Sequence, residues 1–211
     1  MAFRYACFIS YCHGQQDLMK GFIDQLKRGL KAELEPLLDE EVYIDEERLK
    51  PGYNYNEALA TAICESVCMV VVYSPRYERH DYCRREFAGM ENLEQTRKQM
   101  LDRRSTPGGS IIPVIFRGKV DDLPPQITAS RHYADFSQFS LATTDMSRHP
   151  EYAAEIRKIA EAIYEYYQAF EDARTNPCTV CAAFKLPPAD AAPPWRAGPP
   201  PVGGTFPGRE G

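Results

Sequence analysis

Residues able to do chemistry cluster just past three short apolar runs: Ser10, Tyr11 and Cys12 after the first, Asp45 after the second, Ser74 and Tyr77 after the third. Tyr82, Cys83 and Glu86 follow closely. If the runs are parallel strands, their carboxyl ends border a ligand crevice, and these residues would line it. With Asp81 as the N-cap of a helix, Tyr82 and Glu86 stand one turn apart on one face, so an aromatic ring and a carboxylate share one patch. The plain alternative for Glu86 is a solvated glutamate at a helix start, where the macrodipole favours negative charge.

Other chemistries lack their residues. The third run ends in Tyr73-Ser74, whereas a phosphoacceptor receiver of the same topology requires an aspartate there. Neither G-x-x-x-x-G-K-[ST] nor G-x-G-x-x-G occurs, so there is no phosphate cradle or dinucleotide fingerprint. His13, His80, His132 and His149 are scattered without metal-pair spacing, and no metal site is expected.

The elements that must position the candidates alternate between strand and helix patterns from Ala2 to Ala173, the signature of βα units around a parallel sheet. Ala6 to Ser10 reads as the first strand. Leu18, Phe22, Leu26, Leu30, Leu34 and Leu37 then give one apolar face to a helix over about 17–38. Val42 to Asp45 is a second, short strand. A charged loop from Glu46 to Tyr53 leads to Asn54 and Glu57, spaced like a capping box, and a helix carrying Leu59 and Ile63. Val67 to Tyr73 is apolar on both parities and must be a central strand covered on both faces. A helix to about Asp102 should turn Phe87, Met90 and Leu93 inward and Arg84, Arg85 and Lys98 outward. Ile111 to Phe116 and His132 to Phe136 read as the last strands, with a closing helix over about 150–173. The expected fold is an α/β, flavodoxin-like three-layer sandwich with a five-stranded parallel sheet in the order 2-1-3-4-5.

Nine of the 17 prolines and five of the 13 glycines lie in the last 35 residues, so the expected division is a domain over 1–173 and a disordered tail over 174–211 that folding and chemistry can spare. The seven cysteines are an odd number; Cys7, Cys64 and Cys68 fall in apolar elements, where free thiols act as small hydrophobes, and Cys178 and Cys181 have no second ligand pair nearby. That usage fits a reducing, cytoplasmic compartment. A net charge of -5 argues against nucleic acid as a partner. No apolar run approaches the roughly 18 residues of a membrane span, so no membrane partner is expected.

Phe8-Ile9-Ser10-Tyr11 on a first strand, Ile44-Asp45 followed by Leu49-Lys50-Pro51-Gly52, and Tyr82-Cys83-Arg84-Arg85-Glu86-Phe87 after Tyr73-Ser74-Pro75 together resemble the Toll/interleukin-1 receptor (TIR) domain family over about residues 3 to 170. Two departures stand out: Tyr82 replaces the tryptophan that usually opens the third motif, and the stretch after about Asn176 has no counterpart. In the enzymes of this family, many of them bacterial, the domain cleaves NAD+ at the nicotinamide-ribosyl bond with the glutamate of W-C-x-x-E. The resemblance puts Glu86 in that catalytic role and implies Ser10, Tyr11, Asp45, Tyr53, Ser74 and Tyr82 as substrate-binding residues. NAD+ would be the substrate, and no cofactor or metal is implied.

Cleavage of an N-glycosidic bond develops oxocarbenium character on the ribose, which one carboxylate can stabilise; nicotinamide leaves as a neutral molecule without a general acid. The products would be nicotinamide and linear, cyclic or conjugated ADP-ribose. The resemblance further implies self-association through the loop from Glu46 to Tyr53 and a separate sensor or effector, as in antiphage defence. The rival reading is a non-enzymatic adaptor that assembles with other TIR domains, and Glu86 beside Tyr82 favours the enzyme.

Overall fold

The computed structural model describes residues 3–13, 17–44, 55–101, 108–129, 131–139 and 146–196. Strands β1 (Tyr5–Tyr11), β2 (Glu41–Ile44), β3 (Ser66–Tyr73), β4 (Ile111–Ile115) and β5 (Ala134–Asp135) form one sheet in the order β2-β1-β3-β4-β5. Every pairing is parallel, as the alternating pattern requires. Every residue of β1 and β3 is buried, because helices cover both faces. One layer holds α1 (Asp17–Leu34) and α5 (Pro150–Asp172); the other holds α2 (Tyr55–Cys64) and α3 (Asp81–Met100). A single turn, α4 (Pro125–Thr128), lies between β4 and β5. No helix among the described residues is long and apolar enough to cross a membrane.

Three expectations are corrected in detail. The buried stripe of α1 is Met19, Phe22, Ile23, Leu26, Leu30 and Leu34, whereas Leu18 and Leu37 are 43% and 41% exposed. The helix ends at Leu34, so Leu37 sits in the following turn and no longer follows the helical period. Asp81 is not the cap of α3: His80 holds that position without a side-chain cap bond, and Asp81, inside the helix, pairs with Arg84 at 2.6 Å. Arg84, expected to face outward, is buried, since its Nε donates to the Ala192 carbonyl at 2.9 Å.

That last contact belongs to the largest difference from expectation. Residues 174–196 form a strap along α2 and α3, with short 3₁₀ turns at Pro177–Val180 and Ala189–Ala191. Cys181 is disulfide-bonded to Cys64, across 117 residues of sequence, so these two are not free thiols. Leu186 is buried, and the strap lies so close to α3 that a Cβ on Gly89 would meet Leu186 at 3.2 Å and Phe184 at 3.3 Å. Arg85 Nε donates to the Pro187 carbonyl at 2.7 Å, and Trp195 packs against Phe87 with ring centroids 4.8 Å apart. Proline excludes this stretch from regular elements but not from docking, because side chains and carbonyls can still be used. The remaining tail, 197–211, lies outside the described residues.

The far half of α3 is fixed by charge. Arg97 is fully buried; its guanidinium donates to the Ser66 carbonyl at 3.0 Å and the Cys64 carbonyl at 2.7 Å, at the junction of α2 and β3. Glu94 pairs with Arg131 at 2.9 Å and Lys98 at 2.5 Å and accepts from the Ser110 N–H at 3.0 Å. Burial opposes charge on Glu94, but Lys98 and Arg131 outweigh it and hold its pKa below the usual 4.5.

Glu94→Leu takes from Arg131 the nearer of its two carboxylate partners, leaving Glu91 at 3.3 Å, and should cost about 3 kcal/mol in urea unfolding. Because Glu94 is depressed in the folded state, its stabilisation is complete above its unfolded pKa and is lost as pH falls through the lower folded value, so variant and parent should converge in stability in strong acid. Truncation after Thr175, which removes the strap and the disulfide, should lower the melting temperature, the disulfide alone accounting for roughly 2–4 kcal/mol. An unchanged melting curve would show that the strap carries no stability.

Candidate functional site

Glu86 is 5% exposed, and the solvated-glutamate alternative fails. Its place on the inner face of α3, between Cys83 and Met90, turns it under the carboxyl end of β1. There Ser10 Oγ donates to Glu86 Oε2 at 2.5 Å. Ser10 Oγ also lies 2.7 Å from Tyr77 Oη, and Tyr77 Oη donates to the Cys83 carbonyl at 3.1 Å. A carboxylate and two hydroxyls, from three elements up to 76 residues apart, thus form one buried cluster. The β1 register that puts Ser10 opposite Val71 of β3 fixes one side, and the 3₁₀ turn Tyr77–Arg79 fixes the other. Tyr77 closes that turn by donating its N–H to the Ser74 carbonyl at 2.8 Å.

Burial, then the neighbouring Cys83 and Glu86, push the Tyr77 phenol well above its ordinary pKa, so it stays protonated. Cys12 and Cys83 share a hydrogen bond in which Cys83 keeps its proton and Cys12 is drawn below the ordinary thiol value, against burial and with help from Arg76. Cys83 Sγ also lies 3.5 Å from the Tyr11 carbonyl and 3.6 Å from His80 Nδ1.

A cavity of about 300 Å³ opens at the carboxyl ends of β1, β3 and β4, lined in part by Cys12, Ser74, Arg76 and Arg117; Ser10, Tyr77 and Glu86 are not among its lining residues. A larger cleft of about 470 Å³ lies between the end of α1 and the start of β2, near the opposite sheet edge, and contains none of the candidate residues. The crevice rule for open α/β sheets favours the smaller.

The other candidates are distributed unevenly. Tyr11 is buried at the end of β1 with its ring stacked on His13 at 4.3 Å, and Ser74 is buried at the end of β3. Tyr82 does not share the Glu86 patch: it is 37% exposed, meets Tyr55 edge-on at 5.2 Å and lies under the Arg85 guanidinium at 5.3 Å. Asp45, Tyr53 and the loop 46–53 lie outside the described residues. No group of three metal-ligating side chains occurs among the described residues. Sequence reasoning sets Tyr77 at the crevice without a role and misses Trp195, which, although in the tail, covers Tyr77 with ring centroids 5.6 Å apart.

One solved structure that the chain is similar to is the activated Roq1 resistosome directly recognizing the pathogen effector XopQ (TIR domains), at 18% identity over 79% of this chain and 97% of that one, with a TM-score of 0.37. No curated protein matches. The family model described as TIR domain matches residues 7–148, which is more than half of the chain and includes Ser10, Tyr77 and Glu86, and on that match the chain belongs to the TIR domain family.

Proposed function

We propose that this domain is an NAD+ nucleosidase that uses Glu86 to break the nicotinamide-ribosyl bond. The observation that carries the reading is the buried Glu86 carboxyl near the carboxyl end of β1, engaged by Ser10 at 2.5 Å. Withdrawing a carboxyl from water is costly, and a domain that only assembles with others has no use for one at this place. The chemistry asks little more of the chain. As the bond to the pyridinium nitrogen lengthens, positive charge develops on the ribose, and a fixed carboxylate in a dry site stabilises it. The electron pair of the breaking bond neutralises the pyridinium, so nicotinamide leaves without a proton. Water, or a hydroxyl or ring nitrogen of a second group, then attacks the ribose, giving linear, conjugated or cyclic ADP-ribose. Ser10 orients the carboxyl. The role fits a signal-generating or NAD+-depleting component of antiphage defence.

Glu86→Gln keeps the shape and removes the charge, so NAD+ turnover should fall on the order of 100-fold or more, with the melting temperature retained. Purified protein incubated with NAD+, with every product identified by mass spectrometry, is the measurement. Turnover within a few-fold of the parent would sink the reading and leave an assembly module in its place.

Activity is also proposed to depend on self-association through the loop 46–53. Turnover per molecule should then rise with concentration across a hundredfold range, beside light scattering on the same samples. Leu49→Asp should lower assembly and cleavage together, because the added charge would have to be desolvated at the contact. A flat specific activity from a monodisperse monomer would rule this out.

A further inference from the structure

Three cysteines meet where the strap crosses the end of α2. Cys64 and Cys181 are joined by the disulfide, and Cys178 is a free, half-buried thiol. Cys178 Sγ lies 3.6 Å and Cys181 Sγ 3.1 Å from the Cys64 carbonyl oxygen, so both strap sulfurs gather around one atom of the residue that anchors the bridge. The turn Pro177–Val180 arranges this, because 3₁₀ geometry eclipses side chains three residues apart. The Cys181 N–H closes the turn on the Cys178 carbonyl at 3.1 Å, and the Asn176 side chain caps it by accepting from the Cys178 N–H at 2.9 Å. A turn of this kind holds its end Cα atoms within about 7 Å, a span that a disulfide bridges.

A buried cation faces the same place. Arg97 is fully buried, and although its two terminal nitrogens donate to the Ser66 and Cys64 carbonyls, its Nε has no hydrogen-bond partner. The Phe3 ring lies 5.0 Å from the guanidinium. The ionisable groups acting on Arg97 are the Tyr166 phenol and the Cys178 and Cys68 thiols, all held in their neutral forms by burial. A guanidinium withdrawn from water without an anion stabilises negative charge that forms beside it. Of the three groups only Cys178 reaches solvent, since Tyr166 and Cys68 are buried. Burial and the neighbouring Glu65 raise the Cys178 thiol, and Arg97 opposes them.

We infer that Cys64, Cys178 and Cys181 form a thiol–disulfide exchange site that ties the strap to α2 or releases it. Cys178 gives its proton to solvent, and its thiolate attacks the Cys181 sulfur. The Cys178–Cys181 bond forms, the Cys64–Cys181 bond breaks, and the electron pair leaves on Cys64, which takes up a proton. Nothing is oxidised or reduced overall, so the step needs no outside reagent. The strap is then closed on itself, and only its noncovalent contacts hold it to α2 and α3. The step is independent of the chemistry proposed for Glu86.

The test holds the full chain, with its disulfide formed, at mildly alkaline pH without added thiol. Samples taken over time pass into weakly acidic urea, which stops exchange and exposes every cysteine. A maleimide then labels the free thiols, and peptide mass spectrometry reads which of the three carries the label. It should begin on Cys178 and pass with time to Cys64, with Cys178 and Cys181 joined within one peptide. The rate should rise about tenfold from about pH 7 to about pH 8, because the thiolate share grows tenfold per unit below the thiol pKa. Cys178→Ser should keep Cys64 unlabelled throughout, and Cys64→Ser should form the Cys178–Cys181 bond on mild oxidation.

Label that stays on Cys178 at every time overturns the inference. So does label that moves to Cys181, which would mean that Cys64 changes partner while the strap stays tied. Free Cys64 in Cys178→Ser overturns it as well, since the bridge would then open without Cys178. Should that variant not fold, transfer of label in the parent and its rise with pH decide the matter, a rate that is flat in pH counting against attack by the Cys178 thiolate.

Discussion

The architecture depends on a central strand buried on both faces. Strand β3 has no exposed residue, so polar groups at its two ends must find partners within the protein. Arg97 meets the Ser66 and Cys64 carbonyls at the amino end, while at the carboxyl end the turn at Tyr77 bonds back to the Ser74 carbonyl. Helix α3 serves both ends. Arg97 and Glu86 are eleven residues apart, which places them roughly 16 Å apart along the axis and within about 20° of one face. The buried guanidinium therefore sets the rotation of the helix, and the rotation brings Glu86 under Ser10.

Long-period patterns made the sheet order and the principal layers legible in the sequence. The run Val67 to Tyr73, apolar on both parities, is the strand the structure covers on both faces, and the alternation around it left little room for any other topology. Helix phase was less secure. Leu18 and Leu37 satisfied the same three- and four-residue spacing as the true stripe, and only the helix ending at Leu34 and the burial of Met19 and Ile23 separate them.

The site was legible in part. Its place at the strand ends follows from topology, but the burial of Glu86 depends on partners 76 and nine residues away that no helical spacing encodes. Tyr82 shows the reverse failure: one turn from Glu86 in sequence, it points outward, because the inner face of α3 passes through 83, 86, 87 and 90. The strap was hidden for a related reason. Composition registers proline as an obstacle to helix and strand, and it does not register that Cys181 has its partner at Cys64 or that Trp195 has a seat between Tyr77 and Phe87.

The strap also gives the domain a directional response to load. A pull on the carboxyl-terminal side is met first at Arg196, paired with Glu78 at 3.2 Å, and at Trp195, and only later at Leu186 and the sulfur bridge. Such a pull peels contacts one after another instead of shearing them together. The bridge acts as a stop at Cys181: beyond it the chain can lift away while everything before it stays tethered to the end of α2. The first few residues to peel are those that roof Tyr77, so a small tug would wet that phenol long before it threatened the sheet.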